Sequence, residues 1–301
     1  MAKILVTGFQ GTLGRPLVAE LRRQGHEVIG CDVTHDADKD AVRCDVRNYR
    51  QLANLFEANF DYVYHLAAEF GRRNGEDYYE NLWMTNVVGT RHLLELQRRH
   101  HFRLIHFSSS EVYGDFQGVM SESVMDTTEV KQLNDYAMTK WVNEIQIQNA
   151  ENESDVESVR LRLFNVYGPG ELWTPYRGAV PAFIHAALHR LPYTVHLGHH
   201  RSFLYVDDAV RTFANVLDNF IPGRVYNVAH SQEWTIKELS DIILGCVGVD
   251  DSLVTYTDLQ PFTTLQKRPD SELAREEIRH APAVPLEEGI QKTVEWMRMA
   301  L

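Results

Sequence analysis

The stretch LNDYAMTKWVNE, residues 133–144, places Tyr136 four residues before Lys140. The stretch reads as helical, and positions four apart on an α-helix lie one above the other. An ammonium held beside a phenol favours the phenolate and lowers its pKa. Such a phenolate can take a proton from an alcohol near neutral pH. The alternative is an amphipathic helix whose Tyr and Lys merely face solvent. Serines bear on the choice. The stretch FSSSEVYG, 107–114, carries Ser109 and Ser110 after an apolar run that reads as a strand. Hydroxyls there sit at the carboxyl edge of a parallel sheet, where ligands bind in open α/β folds. Ser109 can then bond both a substrate hydroxyl and the Tyr136 phenol. Solvation of a loop is the competing explanation for a serine run.

A second constellation lies near the N-terminus. TGFQGTLG, 7–14, spaces Gly8, Gly11 and Gly14 as G-x-x-G-x-x-G between a strand and a helix. Glycines there let the turn take positive φ and let backbone approach a pyrophosphate. The helix N-terminus adds amide donors and the positive end of its dipole. Asp32 follows eighteen residues after Gly14, at the end of the second strand. A carboxylate there accepts hydrogen bonds from both ribose hydroxyls of NAD and repels the extra phosphate of NADP. NAD is therefore the expected cofactor, against a tight turn with a surface Asp. Asp45 either meets the adenine through a neighbouring amide or is a surface turn residue.

These groups need elements to hold them. KILVT, EVIGCD, AVRCDV, FDYVYHLAA, FRLIHFSSS and ESVRLRLFNVYG read as six strands. Helices alternate with them, after Gly11, at about 48–59, over 91–100 and over 135–149. The alternation argues for an α/β fold, a doubly wound parallel sheet covered on both faces. After YGPG the pattern changes. Residues 169–202 mix Pro, Gly, His and aromatics around one helix, AVPAFIHAALHR. RSFLYVDDAVRTFANVLDN returns to strand and helix, and RVYNVA is one more strand. The remainder, 232–301, reads as mostly helical with two short strands at best. EFGRRNGEDYYENLW, 69–83, reads as a loop. The expected organisation is a dinucleotide-binding core, 1–168, to which 203–229 returns. A smaller part, 169–202 and 230–301, lies over it.

A chain of 301 residues with 44% apolar residues can bury a sizeable core. Its formal charge of −12 argues against nonspecific nucleic-acid binding. Cys31, Cys44 and Cys246 fit neither a disulfide framework nor a zinc site, and a reducing cytoplasm is the expected home. The start lacks the length of a signal peptide, and no stretch is long enough to span a membrane. His185 and His189 have the spacing of two ligands on one helix face, yet no acidic partner shares the motif, and no metal is expected.

Together, TGFQGTLG, Asp32, HLAA, NVVGT, SSSEVYG, YAMTK, LFNVYGPG, RSFLYVDD and the RPDSELAREEI…LEEGIQKTVEWM tail resemble the extended short-chain dehydrogenase/reductase family, in its NAD-dependent nucleotide-sugar epimerase/dehydratase branch. The stretches cover nearly the whole chain in the family's order. The resemblance implies a Rossmann-type fold and oxidation of sugar C4 to a transient 4-ketone, followed by loss of water or inversion of a centre. It implies Tyr136 as the base and Lys140 on the nicotinamide ribose, with Ser109 at the family's catalytic Ser/Thr. The implied cofactor site comprises Gly8, Gln10, Gly11, Thr12, Leu13, Gly14, Asp32, Asp45, Val46, Leu66, Ala67, Ala68 and Asn86, with Tyr136 and Lys140. Ser110, Asn165, Arg201 and Arg268 are the implied contacts to the nucleotide-diphosphate sugar. Glu111 stands where 4,6-dehydratases and UDP-glucuronate decarboxylases carry Glu. A carboxylate near C5 removes the proton that the 4-ketone makes acidic; a structural partner for a nearby amide is its other role. Ser110 departs from the dTDP-glucose dehydratase pattern, which places Asp before that Glu. A Ser-Glu pair resembles GDP-mannose dehydratases and the decarboxylases, and Asp32 argues against the NADP those dehydratases use. A UDP-glucuronate-type decarboxylase, a net dehydrogenase or reductase and a non-catalytic NAD-binding protein remain alternatives. The apolar rows of residues 90–99 and 135–148 resemble those that form a four-helix homodimer interface in the family. Packing within one subunit is the alternative.

Overall fold

The computed structural model describes residues 1–258 and 263–301. Seven parallel strands form the central sheet: β1 (Lys3–Thr7), β2 (Glu27–Asp32), β3 (Ala41–Arg43), β4 (Tyr62–His65), β5 (Arg103–Ser109), β6 (Ser158–Leu163) and β7 (Val225–Val228). Their spatial order is β7-β6-β5-β4-β1-β2-β3. The order reverses beside β1, so the crevice of this doubly wound sheet opens at the carboxyl ends of β1 and β4.

Successive strand residues point to opposite faces, and the core divides accordingly. Ile4, Val6, Tyr64 and Ile105 face one side, where they meet helices α1 (Gly14–Arg23), α8 (Ala179–His189), α9 (Val206–Asn215), α10 (Ile236–Val247) and α12 (Leu286–Ala300). Leu5, Val63 and Leu104 face the other side, against α2 (Tyr49–Leu55), α5 (Gly89–His100) and α7 (Asp135–Glu153). The first cluster joins sheet residues to Leu239, Ile243, Ile290 and Val294 of the C-terminal helices. The part expected to lie over the sheet thus shares its core.

Several elements differ from expectation. Residues 69–83 hold two short helices, α3 (Arg72–Asp77) and α4 (Tyr79–Trp83), where a loop is predicted. Tertiary hydrogen bonds to Glu69, described below, stabilise turns that polar composition alone does not announce. The sixth strand ends at Leu163. Asn165 takes φ 37°, and Val166–Tyr167 pairs instead with Leu204–Tyr205. A short α6 (Val124–Thr127) precedes the catalytic helix, which runs to Glu153. Among its described residues, the C-terminal region contains α11 (Glu272–Ile278) and three short strands, Trp234–Thr235, Val254–Thr257 and Arg268–Pro269, rather than two. Each pairs with a distant segment, and strands held by distant pairing leave little local periodicity. Among the described residues, no helix is long and apolar enough to cross a membrane.

Candidate active site

The glycine loop turns directly off β1. Gly8 takes φ 71°, and a Cβ there would lie 2.7 Å from the Ala67 amide nitrogen. A Cβ on Gly14 would overlap the Gly8 carbonyl oxygen and the Phe9 backbone, so the first turn of α1 packs backbone to backbone on the loop. At the end of β2, Asp32 accepts a hydrogen bond from the Gln10 amide (3.2 Å) and one from the Thr34 amide (3.3 Å). Ala67, after β4, donates to Thr7 Oγ1 (3.2 Å).

On the far side of the crevice stands α7. Asn134 caps it, its side chain accepting from the Ala137 amide at 2.9 Å. Tyr136 and Lys140 share the buried face that the four-residue spacing predicts, each about 5% exposed or less. The Lys140 Nζ lies 5.8 Å from the centre of the Tyr136 ring and donates to the Phe107 carbonyl at 2.8 Å. Ser109, the last residue of β5, stands beside the Tyr136 phenol and works against the burial that raises its pKa. It also accepts from the Glu111 amide (3.2 Å), which starts the 3-10 turn Ser110–Tyr113.

Electrostatics correct one expectation. Burial raises the Tyr136 pKa well above its ordinary 10.0, with the Glu111 charge adding to it; only Ser109 opposes. Lys140 does not offset the burial. Its own pKa is depressed to about 8 because its ammonium is buried, with Glu144 pulling the other way. Removal from water outweighs a neighbouring cation that is itself destabilised and hydrogen-bonded elsewhere.

Glu111 reaches the cavity and ion-pairs with Lys267, whose Nζ also donates to Ser110 Oγ at 3.0 Å. Asn134 donates to the other carboxylate oxygen at 3.3 Å. Burial alone would raise the Glu111 pKa, but Lys267, Arg201 and Asn134 together hold it below the usual carboxylate value. Glu111 is therefore ionised at neutral pH.

One cavity of about 1130 Å³ links these groups. It exceeds the roughly 300–1000 Å³ of ordinary small-ligand pockets. Gly8, Gly11, Thr12, Leu13, Gly14, Asp32, Asp45, Val46, Leu66, Ala67 and Ala68 line it, with Ser109, Ser110, Glu111, Tyr136, Lys140 and Asn165. The glycine cradle, the ribose-reaching acid and the length of the cavity fit a bound dinucleotide. Asp45 lines the cavity too, but Arg47 engages both its carboxylate oxygens. This leaves Asp45 less free for adenine than its position in the sequence implies.

Four residues lie apart from the cavity lining. Gln10 turns its side chain to Thr34 and Arg15, leaving only its backbone amide toward Asp32. Asn86 is buried and ties Glu69 to Thr139. Arg201 is buried and spends its guanidinium on the carbonyls of His200, Thr264 and Leu265 at 2.6–2.9 Å. Arg268 points outward, half-exposed, 3.8 Å from Glu233. Strand alternation at 267–269 sends Lys267 inward and Arg268 outward. The cation beside Glu111 is thus Lys267, which KRPD placed one residue from the expected arginine. Glu171 and Arg177 also line the cavity and lie 3.9 Å apart. Burial raises Glu171 to about 7, and Arg177 partly offsets it. Neither carries a spacing signal. His185 stacks on Trp173 with ring centres 4.2 Å apart, which accounts for one of the helix-face histidines.

Comparison with known proteins supports the same picture. The chain is 28% identical to the UDP-N-acetyl-alpha-D-glucosaminuronate decarboxylase of Bacillus cytotoxicus and 29% identical to the UDP-glucose 4-epimerase of Mycolicibacterium smegmatis, each over 98% of both chains. The solved UDP-glucuronic acid 4-epimerase of Bacillus cereus, in complex with UDP-glucuronic acid and NAD, superposes with a TM-score of 0.90 at 25% identity, over 99% of this chain and all of the other. Residues 4–229 match the NAD dependent epimerase/dehydratase family. A loop, acid, serine, tyrosine and lysine in one crevice, on a chain whose greater part fits that family, make this protein a member of it: an NAD-dependent enzyme of nucleotide-sugar chemistry.

Proposed function

We infer that the chain oxidises C4 of a UDP-linked sugar to a transient 4-ketone and then eliminates water or inverts a centre. The observation that carries this is the Ser109–Tyr136–Lys140 group in the same cavity as the glycine loop. Tyr136 accepts the C4 hydroxyl proton. Ser109, beside the phenol, orients that hydroxyl. Lys140 holds the nicotinamide ribose at the buried end of the cavity. When bound, NAD supplies the acceptor for the C4 hydride and returns it within the same turnover. Burial keeps the phenol protonated in the ligand-free chain, so Tyr136 serves as the base only after that proton has passed to solvent.

Glu111 supplies the second step. It is ionised and open to the cavity, and the 4-ketone acidifies the C5 proton it removes. Lys267 holds its charge and the Ser110 hydroxyl in place. A UDP-sugar is favoured because the relatives and the superposed structure are named for UDP-sugars. Decarboxylation of a UDP-uronate is the second reading. It rests on the decarboxylase relative and on Lys267, a cation able to face a sugar carboxylate.

Met84, Met138 and Ile145 leave apolar side chains more than a third exposed at or before the helices expected to pair, which supports a homodimer. Three cysteines without disulfides agree with a cytoplasmic home.

A panel of UDP-, GDP-, dTDP- and CDP-sugars, incubated with the protein and read by mass, tests the assignment. Loss of water marks elimination, loss of carbon dioxide marks decarboxylation, and unchanged mass with altered NMR couplings marks inversion. Activity only on non-UDP sugars, or steady release of NADH, would refute it.

A further inference from the structure

Glu69 follows the HLAA segment and lines the cavity, yet it belongs to none of the chemistry above. Its carboxylate accepts from Asn74 Nδ2 of α3 at 2.7 Å and from Asn81 Nδ2 of α4 at 2.6 Å. Asn81 Oδ1 in turn accepts from Arg47, the residue that grips Asp45. The backbone of Glu69 is bound as well. Its amide donates to Asn86 Oδ1 at 2.8 Å, and its carbonyl accepts from Asn86 Nδ2 at 3.1 Å. Asn86 also donates to Thr139 Oγ1 (3.0 Å), and Thr139 donates to the Tyr136 carbonyl (2.8 Å). A continuous polar path thus runs from Asp45, just after β3, through α3 and α4 to the backbone of Tyr136. Asn86 and Thr139 are fully buried and Asn74 is nearly so.

We propose that Glu69 is a positioning residue that couples the end of the dinucleotide cavity marked by Asp45 and Arg47 to α3, α4 and Tyr136. The carboxylate accepts from both asparagines, and so holds α3 and α4 in one placement. Arg47 then has a fixed partner in Asn81, and that fixes where the Asp45 carboxylate stands. A ligand that settles Asp45 and Arg47 therefore also settles α3 and α4. Coupling of this kind is reciprocal. Arg72 and Asn74 of α3 line the same cavity, so direct contact with the ligand and coupling through Glu69 are told apart by additivity.

The test uses NAD alone as the probe and so stands apart from the identity of the sugar. NAD is titrated calorimetrically into cofactor-stripped wild type, Asn74→Ala, Glu69→Gln, Arg47→Ala and the double variant Asn74→Ala/Arg47→Ala. Asn74→Ala is expected to weaken NAD about fivefold and Glu69→Gln about tenfold, the scale of coupling through a packed network. The double variant should be weaker than wild type by clearly less than the product of its single effects, because Arg47 and Asn74 act through one carboxylate. A merely structural role would lower the melting temperature without that non-additivity. NAD affinity within twofold of wild type for Asn74→Ala, or strictly multiplicative losses, would overturn the proposal. Asn81→Ala, at a partly exposed position, cuts the same path if the buried Asn74 variant fails to fold, and is read by the same two criteria.

Discussion

Tyr136 is held protonated by its burial, and Ser109 alone works against that. In the cofactor-free protein an ultraviolet difference titration, wild type minus Tyr136→Phe, should show no phenolate below the ordinary value of 10.0; a neutral-range signal would contradict this. Tyr136→Phe should keep NAD binding and lose at least ~100-fold in turnover, the lower end of what a positioned acid–base group contributes. Lys140 gives a pH prediction with a definite sign. Burial favours the neutral amine, so the folded chain binds this proton less tightly than the unfolded chain. The cost of burying the ammonium is present below about 8 and is relieved as pH rises from there toward 10.5. Stability of wild type relative to Lys140→Met should therefore climb across that window, as read by denaturant melts on both sides of it. Lys267→Met leaves the Glu111 carboxylate without its cation. The Glu111 pKa should rise, and the second chemical step should slow more than the first, seen as a 4-keto intermediate that accumulates in rapid-quench samples.

At the level of elements, α7 is pinned by an ion pair that no motif revealed. Arg162 of β6 engages both oxygens of Glu144 from beneath the helix, and neither side chain is more than 3% exposed. Ser108 donates to the same carboxylate, and Arg162 also reaches Tyr113. Arg162, Ser108 and Arg160 outweigh the burial that would raise the Glu144 pKa. Glu144→Ala strands a buried guanidinium and should cost ~3–5 kcal/mol, measured as a drop in denaturant midpoint at unchanged slope. Gly14→Ala should cost ~1–3 kcal/mol, since the added methyl meets backbone rather than a movable side chain, and should weaken NAD in the same titration. Much of this level was legible in the sequence. The glycine spacing, Asp32 and the strand–helix alternation are local signals, and the Tyr–Lys pair follows from helix geometry. Lys267, Glu69 and Arg162 were not legible in role, because each acts on residues at least five positions away, beyond the reach of local spacing. Arg201 and Arg268 carried the family's pattern, yet backbone carbonyls and strand alternation turned them elsewhere.

At the scale of the molecule, the exposed row Met84, Met138 and Ile145 makes a prediction about assembly. Met138→Glu with Ile145→Glu should halve the mass seen by light scattering while leaving the far-ultraviolet spectrum unchanged. A monomeric wild type would refute the homodimer. The shared core has a different consequence. Leu239, Ile243 and Ile290 are built into the same apolar mass as Val6 and Ile105, so the two halves of the chain have no seam along which to swing. A ligand therefore meets a cavity whose walls, from Gly8 to Lys267, rest on one continuous apolar core.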